Sequence, residues 1–275
     1  MGHEILKNQD HGSNSSLKNT IFHSMVAIQN RIVNRIVTFG YKLDNSNVNM
    51  VRLGTIYGGW WISKTLIEKN DDKRVAISVG IGHDVSFDKE LLISGFTVIA
   101  LDPLEHCVSF AREELKEFAK IHIENLGLAS FSGEERFFAP KHESHDSWSS
   151  TNSQITEHGR SSLFQVISLS DLLTKYETQI INATSILKMD IEGAESRIIP
   201  SLCNLKFSFD YVAIEMDFLS LIPFVQIRKR LRHMREARFL LATMQLRGYV
   251  LIMRENFNYF WVYKHGQSLR QSIND

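Results

Sequence analysis

The sequence predicts an α/β fold: a doubly wound, mostly parallel seven-stranded sheet with a C-terminal antiparallel hairpin. Three observations carry the prediction. Short apolar runs alternate with segments whose apolar residues recur every three or four positions, the rhythm of strand–helix–strand units. The run Arg74-Val75-Ala76-Ile77-Ser78-Val79 leads directly into Gly80-Ile81-Gly82, as a buried parallel strand does where it ends at a ligand-binding loop. A second run, Thr97–Leu101, ends in Asp102, twenty residues after Gly82. Glycine backbone can approach a nucleoside closely, and a carboxylate at that offset accepts from ribose hydroxyls.

Composition narrows the class. At 275 residues the chain can bury one large core. Lys+Arg and Asp+Glu each number 31, so no overall basic field argues for nucleic acid. Two cysteines, Cys107 and Cys203, do not build a disulfide framework, and a reducing, cytoplasmic setting is the expectation. No run of about 18 apolar residues occurs, so no membrane span is expected. The N-terminus lacks a signal-peptide core, and Leu6 stands where a myristoylation motif requires Ser or Thr.

In chain order, residues 1–19 are polar and are expected to form a disordered arm. Residues 20–51 read as a helix and a linker. Ile21, Met25, Ile28, Ile32 and Ile36 fall at helical spacing between Thr20 and Phe39, with Arg31 and Arg35 on the flank. A membrane-surface helix would fit, but a helix packed by this stripe on the domain is the expectation. Residues 52–268 read as the domain itself. Gly58-Gly59 before Trp60-Trp61 marks a tight turn, read either as aromatics plugging the core or as a lip over a pocket.

After the first strand a helix is predicted from about Ser86 to Ser94, with Asp84 or Ser86 as its cap. Beyond Asp102, Pro103 opens the turn into an amphipathic helix over about Glu105–Lys120, and a third strand follows at Ile121–Leu126. Residues 130–162 break the rhythm. Glu135–Ala139 suits a short strand, while the polar stretch Lys141–Ser162 predicts a long loop and a candidate substrate-facing lid. His142, His145 and His158 have no acid or cysteine at ligand spacing and read as solvent-exposed.

The second half resumes at Phe164–Leu169, with a helix over Leu172–Tyr176. A fourth strand, Thr184–Met189, and a fifth, Tyr211–Met216, end in the acids Asp190, Glu192, Glu215 and Asp217. A basic helix from about Phe224 to Leu246 carries Arg228, Lys229, Arg230, Arg232, Arg235 and Arg238, read as a solvated face. The strands Tyr249–Met253 and Tyr259–Tyr263 are joined too closely to be anything but an antiparallel pair.

Ligands of open α/β sheets bind at the carboxyl ends of the strands. Gly80, Gly82, Asp102, Asp190, Glu192, Glu215 and Asp217 all gather on that edge in this reading. Each alone suits a helix cap, but four strand ends finishing this way point to a binding site. The acids could hold Mg²⁺ with a substrate diol; acids that only cap helices and bind cofactor hydroxyls are common, so no metal is assigned. Val85 replaces the third glycine of a dinucleotide fingerprint, and no Walker A loop occurs. S-adenosylmethionine carries a ribose without a phosphate and needs only the glycine turn and the acid.

Three segments carry a resemblance: Ser78–Asp88, Ala100–Pro103, and Leu187-Lys188-Met189-Asp190-Ile191-Glu192-Gly193-Ala194-Glu195. Together they resemble the FkbM-type methyltransferases, and the last is the most specific. Leu169–Leu173, the apolar run ending at Glu215, and Gly58-Gly59-Trp60 are similar to that family as well, so the likeness covers about residues 52–265. His83 is a departure, standing where many methyltransferases have a small or acidic residue. The resemblance implies the Rossmann-like class I methyltransferase fold and S-adenosyl-L-methionine as cofactor. It implies methyl transfer, usually to a hydroxyl oxygen, here of a small-molecule or glycan acceptor. It assigns cofactor binding to Gly80, Gly82, Asp84, Asp102 and Asp190, and catalysis to Asp190, Glu192 and Glu215. Asp190 would lie near the methyl group, Glu192 or Glu215 would take the substrate proton, and Lys188 would pair with these acids or touch substrate. The alternatives are a non-catalytic S-adenosylmethionine-binding regulatory protein and an NAD-binding oxidoreductase.

Overall fold

The computed structural model describes residues 10–41, 43, 49–69, 71, 73–140, 148–150, 156–219 and 227–264. The chain opens with helix α1 (Asp10–Val37), the hairpin β1 (Met50–Leu53) and β2 (Trp60–Ser63), and the short α2 (Lys64–Glu68). Strands and helices then alternate as β3 (Arg74–Val79), α3 (Ser86–Ile93), β4 (Thr97–Leu101), α4 (Glu105–Glu114) and β5 (Ile121–Glu124). Three strands stand apart, β6 (Gly127–Ala129), β7 (Gly133–Pro140) and β8 (Thr156–Ser168). The winding resumes with α5 (Leu169–Lys175), α6 (Glu177–Ile180), β9 (Thr184–Met189), α7 (Glu195–Asn204) and β10 (Tyr211–Glu215). It closes with α8 (Ile227–Leu246), β11 (Tyr249–Glu255) and β12 (Asn258–Tyr263).

The large sheet runs β11-β12-β10-β9-β3-β4-β5. Pairing is parallel from β10 to β5, and β12 lies antiparallel to both neighbours, as the short connection required. The chain winds outward from β3 to β5 and then returns to the other side of β3 as β9. That reversal opens a crevice at the carboxyl ends of β3 and β9, where open α/β sheets bind ligands.

Successive side chains of a strand point to opposite faces. Val75, Ile77 and Val79 join Leu187, Met189 and the helices α1, α5, α7 and α8 in one core layer. Ala76, Val98, Ala100 and Ile186 meet α3, α4 and the β1–β2 hairpin in the other. Both faces are covered, which is why these strands read as unbroken apolar runs. Among the described residues no helix is long and apolar enough to cross a membrane.

The structure corrects three expectations. Helix α1 starts at Asp10, inside the stretch read as a disordered arm; residues 1–9 lie outside the described residues. Extending a helix costs far less than nucleating one, so a polar lead-in can be drawn into it. The helix also docks by a different stripe. Met25, Ile28, Ile32 and Ile36 are 48%, 55%, 54% and 46% exposed, while Val33, Asn34 and Val37 are buried. The Ile21 side chain lies outside the described residues.

Asn34 supplies the reason. Its Oδ1 accepts from the buried Tyr259 hydroxyl at 2.8 Å, and its Nδ2 donates to the Asn256 carbonyl at 2.8 Å. Turning the aliphatic stripe inward would strand these groups, and an unpaired buried polar group costs about 1–3 kcal/mol.

The third correction concerns the expected 141–162 loop. Residues 156–162 belong to β8, which pairs antiparallel with β7 in register from Gly133↔Val166 to Pro140↔Thr156. Arg160, Ser162 and Leu163 are exposed, so the ribbon rests on backbone hydrogen bonds and needs no apolar signature along its length. Residues 141–147 and 151–155, with His142 and His145, lie outside the described residues, as does the His158 side chain.

Asn34→Ala is expected to lower stability by about 1–3 kcal/mol. Ile32→Ala, on the outer face, should change it by less than about 0.5 kcal/mol. Urea unfolding ranks the two, and the reverse order would mean that α1 docks by its aliphatic stripe.

Candidate active site

The cavity floor begins where β3 ends. Gly80 has φ +73°, and a Cβ added there would lie 1.7 Å from the Asp190 carbonyl oxygen. Its glycine is therefore demanded by the close approach of β3 and β9. Gly80 N donates to Leu101 O at 2.9 Å, and Asp190 N to Val79 O at 3.1 Å, extending the sheet pairing into the loops. Gly82 is different. It has φ +54° but no atom within 4 Å of an added Cβ, and it lines the open cavity. Its N–H donates to Asp102 Oδ2 at 3.0 Å, while Asp102 Oδ1 accepts from Leu104 N at 2.9 Å. Asp102 is 5% exposed; burial raises its pKa, against the pull of those two backbone donors.

Asp84 also lines the cavity, but its oxygens hold protein donors. Oδ1 accepts from Ser86 N at 3.0 Å at the start of α3. Oδ2 accepts from the Thr55 hydroxyl and from Gly58 N. Burial opposes ionisation, yet the donors from Ser86, Thr55 and Gly58 outweigh it and hold the carboxyl below its ordinary pKa. Asp84 thus ties the glycine turn to the sheet edge.

Both readings of that turn hold. A Cβ on Gly59 would lie 2.2 Å from Thr55 O, so the turn is tight for packing, and Tyr57, Gly58, Gly59 and Trp60 also wall the cavity. Trp60 packs edge-on against Phe260, and Lys188 Nζ lies 5.3 Å from the centre of its indole ring.

Opposite the glycines, Asp190, Glu215 and Asp217 bring carboxylate oxygens within 4.8 Å of one another. Burial pushes Glu215 up to about 8, and the neighbouring Asp190 and Glu192 push the same way. Asp217 is driven well above its ordinary value by burial and then by Glu215. Burial raises Asp190 as well, against the attraction of Lys188, whose Nζ is 3.8 Å from Asp190 Oδ2. That ammonium is anchored by the carbonyls of Val79 and Gly80, so it is an ion-pair partner built into the floor.

Glu192 lines the cavity at φ 54°, and its carbonyl accepts from the Ser149 hydroxyl. Glu195 is fully buried; its Oε1 accepts from Gly193 N at 2.9 Å and organises the turn into α7.

The predicted residues Gly80, Gly82, Asp84, Asp102, Asp190, Glu192 and Glu215 thus line one cavity of about 430 Å³. Four further contributors were not assigned from the sequence. Asp217 was visible as a strand-end acid. Trp148 and Ser150 arrive from the segment beyond β7, and Asn258 arrives through register, since it stands opposite Glu215 in the β10–β12 pair. No local motif marks these last three. On the side wall, the His83 and His106 rings stack at 5.1 Å, and Cys107 Sγ is 4.0 Å from His83 Nδ1.

Seven strands in this order, the terminal antiparallel hairpin and the glycine–acid crevice define the class I methyltransferase-like fold. Residues 59–251 match the Methyltransferase FkbM domain, and the chain belongs to that family. Among solved structures it is similar to the methyltransferase FkbM from Methylobacillus flagellatus KT, with 14% identity and a TM-score of 0.39, over 70% of this chain and 44% of that one. The chain therefore spans less than half the length of that relative. It is also similar to the METTL16 MTase domain, with 14% identity and a TM-score of 0.38, over 73% of this chain and 64% of that one. A third likeness is to the Methanococcus jannaschii fibrillarin pre-rRNA processing protein, with 9% identity and a TM-score of 0.37, over 82% and 85%. No curated protein matches the chain.

Gly80→Ala is expected to destabilise the fold by more than about 3 kcal/mol, because backbone must move. Gly82→Ala meets no atom and should cost about 1–2 kcal/mol from its positive φ alone. Chemical unfolding distinguishes them; equal losses would contradict the β3–β9 approach.

A second expectation concerns pH. Folded Glu215 keeps its proton to about 8, whereas the unfolded carboxyl releases it near 4.5. Between those values the folded state binds more protons, so this group makes stability fall as pH rises. Glu215→Gln should flatten that fall in melting temperature against pH. An unchanged slope would mean that Glu215 is ionised in the fold.

Proposed function

We propose that the chain transfers the methyl group of S-adenosyl-L-methionine to a hydroxyl oxygen of a small molecule or glycan. The observation that carries this reading is the convergence of Asp190, Glu215 and Asp217 opposite Gly82 and Asp102 in one cavity. The residues fit the donor. Gly82 leaves open space above its backbone, and Asp102 is held rigid by Gly82 N and Leu104 N with lone pairs left for ribose hydroxyls. Bound there, S-adenosyl-L-methionine supplies an electrophilic methyl group on a cationic sulfur.

The chain's own residues do the rest. Asp190, Glu215 and Asp217 hold three carboxyl groups together where a bound cation would favour their ionised form, prearranged and partly out of water. A hydroxyl must lose its proton as it attacks, and a carboxyl held near 8 is matched to accepting one close to neutral pH. Glu215 is therefore the proton acceptor in this reading, and Asp190 aligns the acceptor oxygen. Glu192 stands beside them on the cavity wall as the second candidate base. Asp84 acts through the Gly58-Gly59 turn, and Trp60 with Trp148 excludes water.

Thermal shift with S-adenosylmethionine, S-adenosylhomocysteine and NAD is the first test. Ligand at about 100 times its dissociation constant adds about 2.7 kcal/mol to native stability. The two S-adenosyl ligands should raise the melting temperature, and stabilisation by NAD alone would overturn the reading. Asp102→Ala should weaken cofactor binding, whereas Asp190→Ala should mainly lower turnover. Equal cofactor loss in both would make Asp190 a binding residue only. Glu215→Gln should reduce turnover by about 10²–10⁴-fold.

A further inference from the structure

Two features of the sequence find no use in the cavity: the aliphatic stripe of α1 and the basic face of α8. The fold brings the two helices that carry them into contact. α1 packs on α8. The Arg238 guanidinium of α8 donates to the carbonyls of Ile36 at 2.9 Å and Phe39 at 2.9 Å, and the Tyr41 hydroxyl donates back to the Arg238 carbonyl. The end of α1 is thereby pinned beside the middle of α8. Because α1 docks through Val33, Asn34 and Val37, the stripe of Met25, Ile28, Ile32 and Ile36 is left facing outward. At the pinned junction Phe39 is 77% exposed and Phe239, next to Arg238, is 64% exposed.

The charge around this apolar surface is predominantly positive. Arg31 and Arg35 are exposed on α1, and Arg228, Arg232 and Arg235 are exposed on α8. Among the described residues none of these five forms an ion pair. From Ser24 to Phe39 the sequence has no acid, and α8 has one, Glu236.

We propose that this face of α1 and α8 docks on the surface of an anionic membrane. A helix with an aliphatic stripe flanked by arginines lies in the boundary between headgroups and acyl chains, where each part finds its solvent. A second copy of the chain is a poorer occupant. A two-fold contact sets the same patch against itself, which would crowd the arginines of both copies with almost no carboxylate to receive them. The attachment is peripheral, since no described helix can span. It stands apart from the catalytic reading, because none of its residues lines the cavity.

The test is sedimentation of the full chain with vesicles. Binding is expected to phosphatidylcholine vesicles containing phosphatidylserine, to weaken as salt is raised, and to be much lower on phosphatidylcholine alone. Ile28→Glu with Ile32→Glu should abolish it. Arg31→Ala with Arg35→Ala should weaken it by about fivefold per arginine. Both variants spare the docking stripe, and an unchanged urea midpoint checks that they fold. Three results would overturn the proposal: no binding of the parent chain to the anionic vesicles, binding untouched in both variants, or a dimer in sedimentation equilibrium that Ile28→Glu with Ile32→Glu dissociates.

Discussion

At the centre of the sheet, β3 and β9 end so close together that one added carbon on Gly80 would lie 1.7 Å from the Asp190 carbonyl oxygen. The rest of the site depends on this approach. It sets Gly82 and Asp102 on one side of the crevice and Asp190 directly across from them. It also lets Lys188 reach back from β9 to the carbonyls of Val79 and Gly80, so that one buried ammonium bridges the two strand ends. A wider gap would leave those carbonyls without this donor and Asp190 without its nearest cation.

The electrostatics follow from that geometry. Three carboxyl groups share a small volume with one ammonium whose hydrogen bonds are spent on the strand ends. Like charges held this near in a partly dry site cannot all ionise cheaply, and burial makes the charged form costlier still. The protein alone settles the conflict by retaining protons, as the elevation of Glu215 to about 8 records. A cationic ligand settles it differently, by taking the place of those protons. In the proposed reading the sulfonium donor and the proton acceptor are therefore linked: a cation bound beside Glu215 would lower its pKa and ready it to receive a proton.

Much of this was legible in the sequence, for identifiable reasons. A strand buried on both faces must be apolar throughout, so β3, β4, β9 and β10 announced themselves, and their ends announced the crevice. Local chemistry did the same for Gly82 with Asp102. Residues that arrive through pairing register were silent, as Asn258 shows: only the antiparallel partnership of β10 with β12 sets it opposite Glu215. Gly80 was found but for an incomplete reason, since its glycine serves backbone packing before any ligand. The α1 stripe was misread because periodicity identifies an apolar face without saying what covers it. Asn34 docks the helix through two hydrogen bonds, and a lone asparagine at a helix position carries no periodic signal.

Glu195 and Glu215 show why a shifted pKa alone does not identify a base. Burial lifts both to about 8. Glu195 is fully enclosed, and one of its oxygens is committed to the Gly193 N–H that shapes the turn into α7. Its proton has nowhere to go, and its service is to hold the loop carrying Asp190. Glu215 ends its strand at the cavity wall, its carboxylate within 4.8 Å of those of Asp190 and Asp217, on a surface open to a ligand in the cavity. Equal perturbation with unequal access separates Glu195, which holds a turn, from Glu215, the proposed proton acceptor. Access here is decided by strand register, which ends β10 at the cavity while the chain turns Glu195 back under the loop.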